Sequence, residues 1–122
     1  MILGIGNDII EIERIHGVIQ RHGERFLNRT FTLKEQEYCE KHSKSSARFA
    51  GRFAAKEAVA KALGTGFNDS ITFLDIEIIN NIVGKPEVVI SPILRELIGN
   101  STIHISISHS DNYATAFAII ST

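Results

Sequence analysis

Cysteine is nearly absent from this chain. Cys39 is the single one, so no internal disulfide forms and no second thiol completes a zinc or redox motif. That fits a reducing, cytoplasmic setting. A surplus of one charge is also missing. Thirteen basic against 14 acidic side chains leave a net charge of −1, so no global field draws the chain to nucleic acid or to an anionic membrane. Any basic docking surface must therefore be local. Long apolar runs are lacking, and none approaches a membrane span. The opening "MILGIGNDII" has no basic n-region and meets a glutamate at once, so no signal peptide is expected. Repeats, low-complexity stretches and linkers are absent. What is there, 122 residues with 43% hydrophobic and 22% charged, suits a single globular domain over 1–122.

The first half reads as helical after a short strand. "MILGIGN" (1–7) alternates, with Leu3, Ile5 and Asn7 on one side and Ile2, Gly4 and Gly6 on the other. Its glycines predict close approach of another backbone or a ligand. Asp8 and Glu11 have capping-box spacing before a helix with an Ile12, Ile15, Ile19 stripe, which Gly23 should end. Thr32 and Glu35 repeat the capping pattern before "LKEQEYCEKH". A third helix follows the serines at 43–46 and runs to Leu63, with Gly64 at its left-handed stop. Five of the sixteen residues in "GRFAAKEAVAKALGTG" (51–66) are alanine, the best helix former.

The second half changes period. "ITFLDIEII" (71–79) alternates, with Leu74, Ile76 and Ile78 opposed to Asp75 and Glu77. "NNIVGKP" reads as a turn into the strand "EVVI" (87–90). Ser91-Pro92 is an N-cap and N1 pair for a short helix ended by Gly99. "TIHISIS" (102–108) and "YATAFAII" are two further strands around an "HSDN" turn. Early helices and late, hairpin-linked strands predict an α+β fold with an antiparallel sheet packed with helices.

Several residues could carry chemistry. Glu57 and Lys61 lie four apart on one stripe with Phe53 and Gly64. They are either an exposed ion pair or a carboxylate and an ammonium serving a divalent cation and a phosphate. Asp8 is either a helix cap or a second hard ligand at a strand end. His104 and His109, five apart, point to opposite strand faces and make a poor zinc pair. His109, near the turn, is the better placed to touch a ligand or accept a proton. Arg14, Arg21 and Arg25 would share a stripe past Val18 if helicity persisted, forming either a solvated face or a docking strip for an acidic partner. Arg52 and Lys56 lie on a different stripe and receive no role.

Four blocks together carry a resemblance: "GIGNDIIEIERI" (4–15), "GRFAAKEAVAKALGTG" (51–66), "GKPEV" (84–88) and "ISISHSDNYATAFAI" (105–119). The chain resembles the holo-[acyl-carrier-protein] synthase family, the small 4′-phosphopantetheinyl transferases, over essentially its whole length. The resemblance implies that family's fold and its reaction. The 4′-phosphopantetheine arm of coenzyme A passes to a serine of apo-acyl carrier protein, adenosine 3′,5′-bisphosphate leaves, and fatty acid biosynthesis is served. It also implies a Mg²⁺ requirement and a homotrimer with active sites between subunits. On this resemblance Asp8 and Glu57 match the metal-binding carboxylates, and Lys61 completes the catalytic set by holding a coenzyme A phosphate. Gly64 and Gly66 match the nucleotide-approaching loop, while Pro86 and His109 match positions at the adenosine end. Arg14 and Arg21 resemble the carrier-docking residues, with Arg25 a looser match. Asn7 departs from the apolar residue or threonine of many relatives. A metal-linked water, a carboxylate or His109 are the candidate bases. The rival readings are a non-catalytic nucleotide-binding module and an enzyme of the same chemistry aimed at peptide-synthetase carriers, whose chains are generally about twice as long.

Overall fold

Helix α4 (Ser45–Leu63) is the axis around which the chain is built. The structure is a computed structural model and describes residues 1–64, 66–67 and 70–122. Thr65 of the "GTG" stretch thus lies outside the described residues. As predicted, α4 ends at Gly64 in the left-handed region, at φ 83°. Its alanines have a packing purpose: Ala54, Ala55 and Ala58 are fully buried. Strand β1 (Ile2–Glu11) lies directly on them. A Cβ on Gly4 would stand 2.0 Å from the Ala62 carbonyl oxygen, and one on Gly6 1.9 Å from that of Ala58. The close approach that the glycines predict is therefore that of the helix backbone.

The first strand is longer than the sequence suggests. It runs through Glu11 because it pairs antiparallel with β5 (Tyr113–Ser121), from Ile2↔Ser121 to Glu11↔Tyr113. Asp8 stands opposite Ala116 within that ladder, so it is not a helix cap and the Asp8–Glu11 capping box does not form. Long-range pairing supplies every backbone partner that a cap would have offered one by one. Helix α1 (Ile12–His22) starts instead after Glu11, which makes no side-chain cap bond, and the Ile12 amide donates to the Asn112 carbonyl at 2.9 Å. Gly23 ends α1 as expected, and α2 (Glu24–Thr30) begins at once. Helix α3 (Leu33–Glu40) has the predicted Thr32/Glu35 capping box.

The expected strand over 71–79 starts only at β2 (Ile76–Asn80). Residues Phe73–Asp75 form a 3₁₀ turn instead, because the Asp75 carboxylate accepts from the Thr72 amide at 2.7 Å. Leu74 therefore stands exposed, not beside buried Ile76 and Ile78. The remaining elements follow expectation: β3 (Pro86–Ile90), α5 (Pro92–Ile98) capped by the Ser91 hydroxyl, and β4 (Thr102–His109). His109 closes β4 and does not open the turn. The strands make two antiparallel sheets where one was expected, β1-β5-β4 and β2-β3, with β3 beside β4 at the seam. Phe31, Val59, Ile76, Ile78 and Leu94 fill the core between the helices and sheets. Each contributes about 1.5–3 kcal/mol by leaving water.

Arg52 and Lys56, unassigned from sequence, are both buried. Lys56 forms an ion pair with buried Glu35 at 2.6 Å. Burial pushes the Lys56 ammonium below the usual lysine range, and the Glu35 carboxylate works against that push.

Candidate active site

Strand β1 and helices α1, α2 and α4 line the cleft that gathers the acidic candidates. Asp8 comes from the middle of β1, and Glu57 and Lys61 come from successive turns of α4. The Lys61 ammonium reaches across to Asp8 Oδ1 at 3.1 Å and to the Asn7 carbonyl at 2.9 Å. The four-residue Glu57–Lys61 pair thus gives way to an inter-element pair. Among the described residues the ion pairs are Lys61–Asp8 and Lys56–Glu35. Asp8 is held from behind, since the Thr115 hydroxyl donates to its carbonyl at 2.9 Å.

Glu57 is half-buried. Burial pushes its carboxyl up from the usual range, Asp8 adds to the push, and Lys61 opposes it. The cleft encloses about 360 Å³ and is lined by Asp8, Arg14, Glu57 and Lys61 together with an apolar wall that includes Phe26 and Phe53. Two like-charged carboxylates converge here beside two cations. That donor set suits Mg²⁺, which takes one or two carboxylates with substrate phosphates. Added positive charge would also relieve the repulsion that raises Glu57.

The other sequence candidates, Arg14 excepted, fall elsewhere. Pro86 and His109 line a second cavity of about 390 Å³ on the far side of α4. Gly64 and Gly66 follow the end of α4, and the Gly66 amide donates to the Ala60 carbonyl at 3.3 Å. Arg14 enters the principal cleft, whereas Arg21 folds back over Gly17. The break at Gly23 moves Arg25 onto α2, so the three arginines do not form one helical stripe.

Sequence reasoning missed the cationic wall of the second cavity. Arg48 and Arg52 stand one helical turn apart there, with Tyr38, Asn80 and Gly84. Arg52 lies 4.0 Å over the Tyr38 ring, donates to Asn80 Oδ1 and keeps a buried Nε with no partner among the described residues. The four-residue spacing of the two arginines was the available signal.

A 4′-phosphopantetheinyl transferase superfamily model matches residues 4–118. A holo-[acyl-carrier-protein] synthase of Protochlamydia amoebophila is 59% identical over 119 residues, covering 98% of each chain. The chain belongs to the holo-[acyl-carrier-protein] synthase family. The family's enzymes also match in three dimensions. The Neisseria meningitidis synthase superposes with a TM-score of 0.91 at 36% identity, over 100% of both chains. The Helicobacter pylori synthase, solved in complex with coenzyme A, gives 0.88 at 33% identity over 96% of this chain and 99% of its own. The α+β architecture expected from sequence is thus the fold of holo-[acyl-carrier-protein] synthases. No helix among the described residues is long and apolar enough to cross a membrane.

Proposed function

We propose that this enzyme transfers 4′-phosphopantetheine from coenzyme A to a serine of apo-acyl carrier protein, releasing adenosine 3′,5′-bisphosphate and serving fatty acid biosynthesis. The convergence of Asp8, Glu57 and Lys61 in one cleft is the observation that carries this reading. In the reaction the serine oxygen bonds to the β-phosphorus, and the bond from that phosphorus to the bridging oxygen breaks. The serine proton passes to a water in the cleft, and the departing oxygen carries its negative charge away on the 5′-phosphate of adenosine 3′,5′-bisphosphate.

Asp8 and Glu57 would hold Mg²⁺, which supplies charge neutralisation at the pyrophosphate. Lys61 binds a phosphate oxygen from the same helix face, exchanging its bond to Asp8 for one to substrate. The apolar wall with Phe26 and Phe53 limits water beside the reacting phosphorus. Arg14, at the cleft mouth, orients an acidic carrier, with Arg21 and Arg25 extending the docking strip along α1 and α2. Gly64 and Gly66 let the nucleotide approach the end of α4. Pro86 and His109 bind its adenosine portion, together with Arg48 and Arg52.

The two half-sites lie apart on one chain, which supports a homotrimer with each active site shared between neighbours. The outer face of the β1-β5-β4 sheet agrees with that reading: Leu3, Ile5, Ile9 and Phe117 are each more than half exposed. Within one chain β5 buries the face that carries Ala114, Ala116, Ala118 and Ile120, and leaves Tyr113 and Phe117 exposed.

Mass spectrometry of apo-carrier protein after incubation with enzyme, coenzyme A and Mg²⁺ tests the function. A gain of one phosphopantetheine is expected with wild type and not with Asp8→Ala or Glu57→Ala. Coenzyme A binding by all three proteins without transfer by wild type would establish the nucleotide-binding module instead.

A further inference from the structure

The proposed chemistry makes no use of Lys56 and Glu35, although both are charged and wholly buried. Lys56 Nζ donates to Glu35 Oε1 at 2.6 Å, to the Thr30 carbonyl at 2.7 Å and to the Phe73 carbonyl at 3.0 Å. Three ammonium protons thus meet three acceptors. Glu35 is equally occupied. Its Oε1 also accepts from the Thr32 amide at 2.8 Å, and its Oε2 accepts from the Ile78 amide at 2.8 Å. An isolated pair of this kind is a poor source of stability, but this one also satisfies the Thr30 and Phe73 carbonyls and the Thr32 and Ile78 amides. Its geometry is more telling.

Lys56 directly precedes Glu57 on α4. Its acceptors come from the segments that carry the cleft wall. Thr30 ends α2, whose Phe26 lines the cleft. Phe73 stacks on Phe53, the other aromatic of that wall, at 5.4 Å between centroids. One ammonium therefore ties the Glu57 turn of α4 to the backbone behind both aromatics. Asp8 and Glu57 repel each other, so the metal-free helix has a reason to rotate away.

We propose that the Lys56–Glu35 pair is a positioning device for the active site, fixing the rotation of α4 so that Glu57 stays opposed to Asp8 and Lys61. This rests on the reading of the cleft under Proposed function. Active-site groups need placement within about 0.5 Å and 10–20°, and a shift of about 1 Å can lower rates about 10²-fold. Removing the anchor therefore lowers stability and, in the protein that still folds, weakens metal binding and turnover.

The test uses the apolar double variant Glu35→Leu/Lys56→Met and the charge-conserving Glu35→Asp, which keeps a counter-charge for Lys56 if the double variant fails to fold. Urea unfolding checks the fold, calorimetric titration of Mg²⁺ in the presence of coenzyme A reads metal binding, and steady-state transfer separates kcat from KM. Cooperative unfolding, Mg²⁺ binding weakened at least ~10-fold, and kcat reduced toward ~10²-fold are expected for the double variant. Glu35→Asp, with the counter-charge kept at a shorter reach, shows smaller changes of the same sign, and KM for carrier stays within about twofold in both because the arginines on α1 are untouched. A folded variant with wild-type Mg²⁺ affinity and kcat overturns the proposal, as does a change confined to carrier KM. Absence of Mg²⁺-dependent transfer by wild type would instead refute the underlying function.

Discussion

Glu57 illustrates how a candidate site residue works against the fold that holds it. Its carboxyl is raised by burial and then by Asp8, so the folded state binds its proton more tightly than the unfolded chain does. Stability contributed by this group therefore falls as pH rises from the ordinary carboxylate range through the raised value, and the deficit is complete at neutral pH. Glu57→Gln is expected to raise the Tm of the metal-free protein at pH 7 by a few degrees, with the gap closing on acidification below the carboxylate range. Added Mg²⁺ should raise the Tm of wild type and leave that of Glu57→Gln unchanged. Scanning calorimetry across pH, with and without Mg²⁺, reads both effects. Cys39 makes a contrasting case. Burial pushes its thiol up to about 12, so thiolate is scarce at physiological pH. A maleimide should leave native protein unlabelled at pH 8 and label Cys39 fully in denaturant.

At the scale of elements, β1 and α4 are one construction. The strand carries Asp8, the helix carries Glu57 and Lys61, and backbone contact at Gly4 and Gly6 sets the distance between them. Gly6→Ala should cost at least about 2 kcal/mol in urea unfolding, since neither the Ala58 carbonyl nor the strand can yield enough room. It should also lower transfer more than it lowers stability at any urea-free temperature below unfolding, because the displaced strand carries Asp8. Helix α1 offers a separable effect. Arg14→Glu and Arg21→Glu are predicted to raise KM for carrier protein far more than KM for coenzyme A. An unchanged carrier KM would remove the docking strip from the account.

Taken as a whole molecule, a chain of 122 residues spreads its candidate chemistry over two sides of one helix. One cleft holds Asp8, Glu57 and Lys61, and the second cavity holds Arg48, Arg52 and His109. Association through the outer sheet face would bring one such half to another. Phe117→Asp should give a folded monomer in sedimentation with little transfer, because Phe117 is half exposed and faces away from α4. Wild type sedimenting as a fully active monomer would rule out a shared site.

Residue patterns of short range were legible in the sequence. Alanine content, the Thr32/Glu35 and Ser91 caps and the stops at Gly23, Gly64 and Gly99 act within a few residues, so local spacing was enough to place them. The motif blocks likewise named Asp8, Glu57 and Lys61 together. What only the tertiary structure decided involves partners distant along the chain. Pairing with β5 turned Asp8 from a possible cap into a strand residue, and stacking of Phe73 on Phe53 and Phe67 accompanies a turn where alternation predicted strand. Lys61 chose Asp8 over the neighbour one turn away, and Lys56 and Arg52 left the surface that their charge suggested. The physical reason is the same in each case. A charge or backbone group takes the partner that folding brings within hydrogen-bond reach, and that partner cannot be read from spacing along one element.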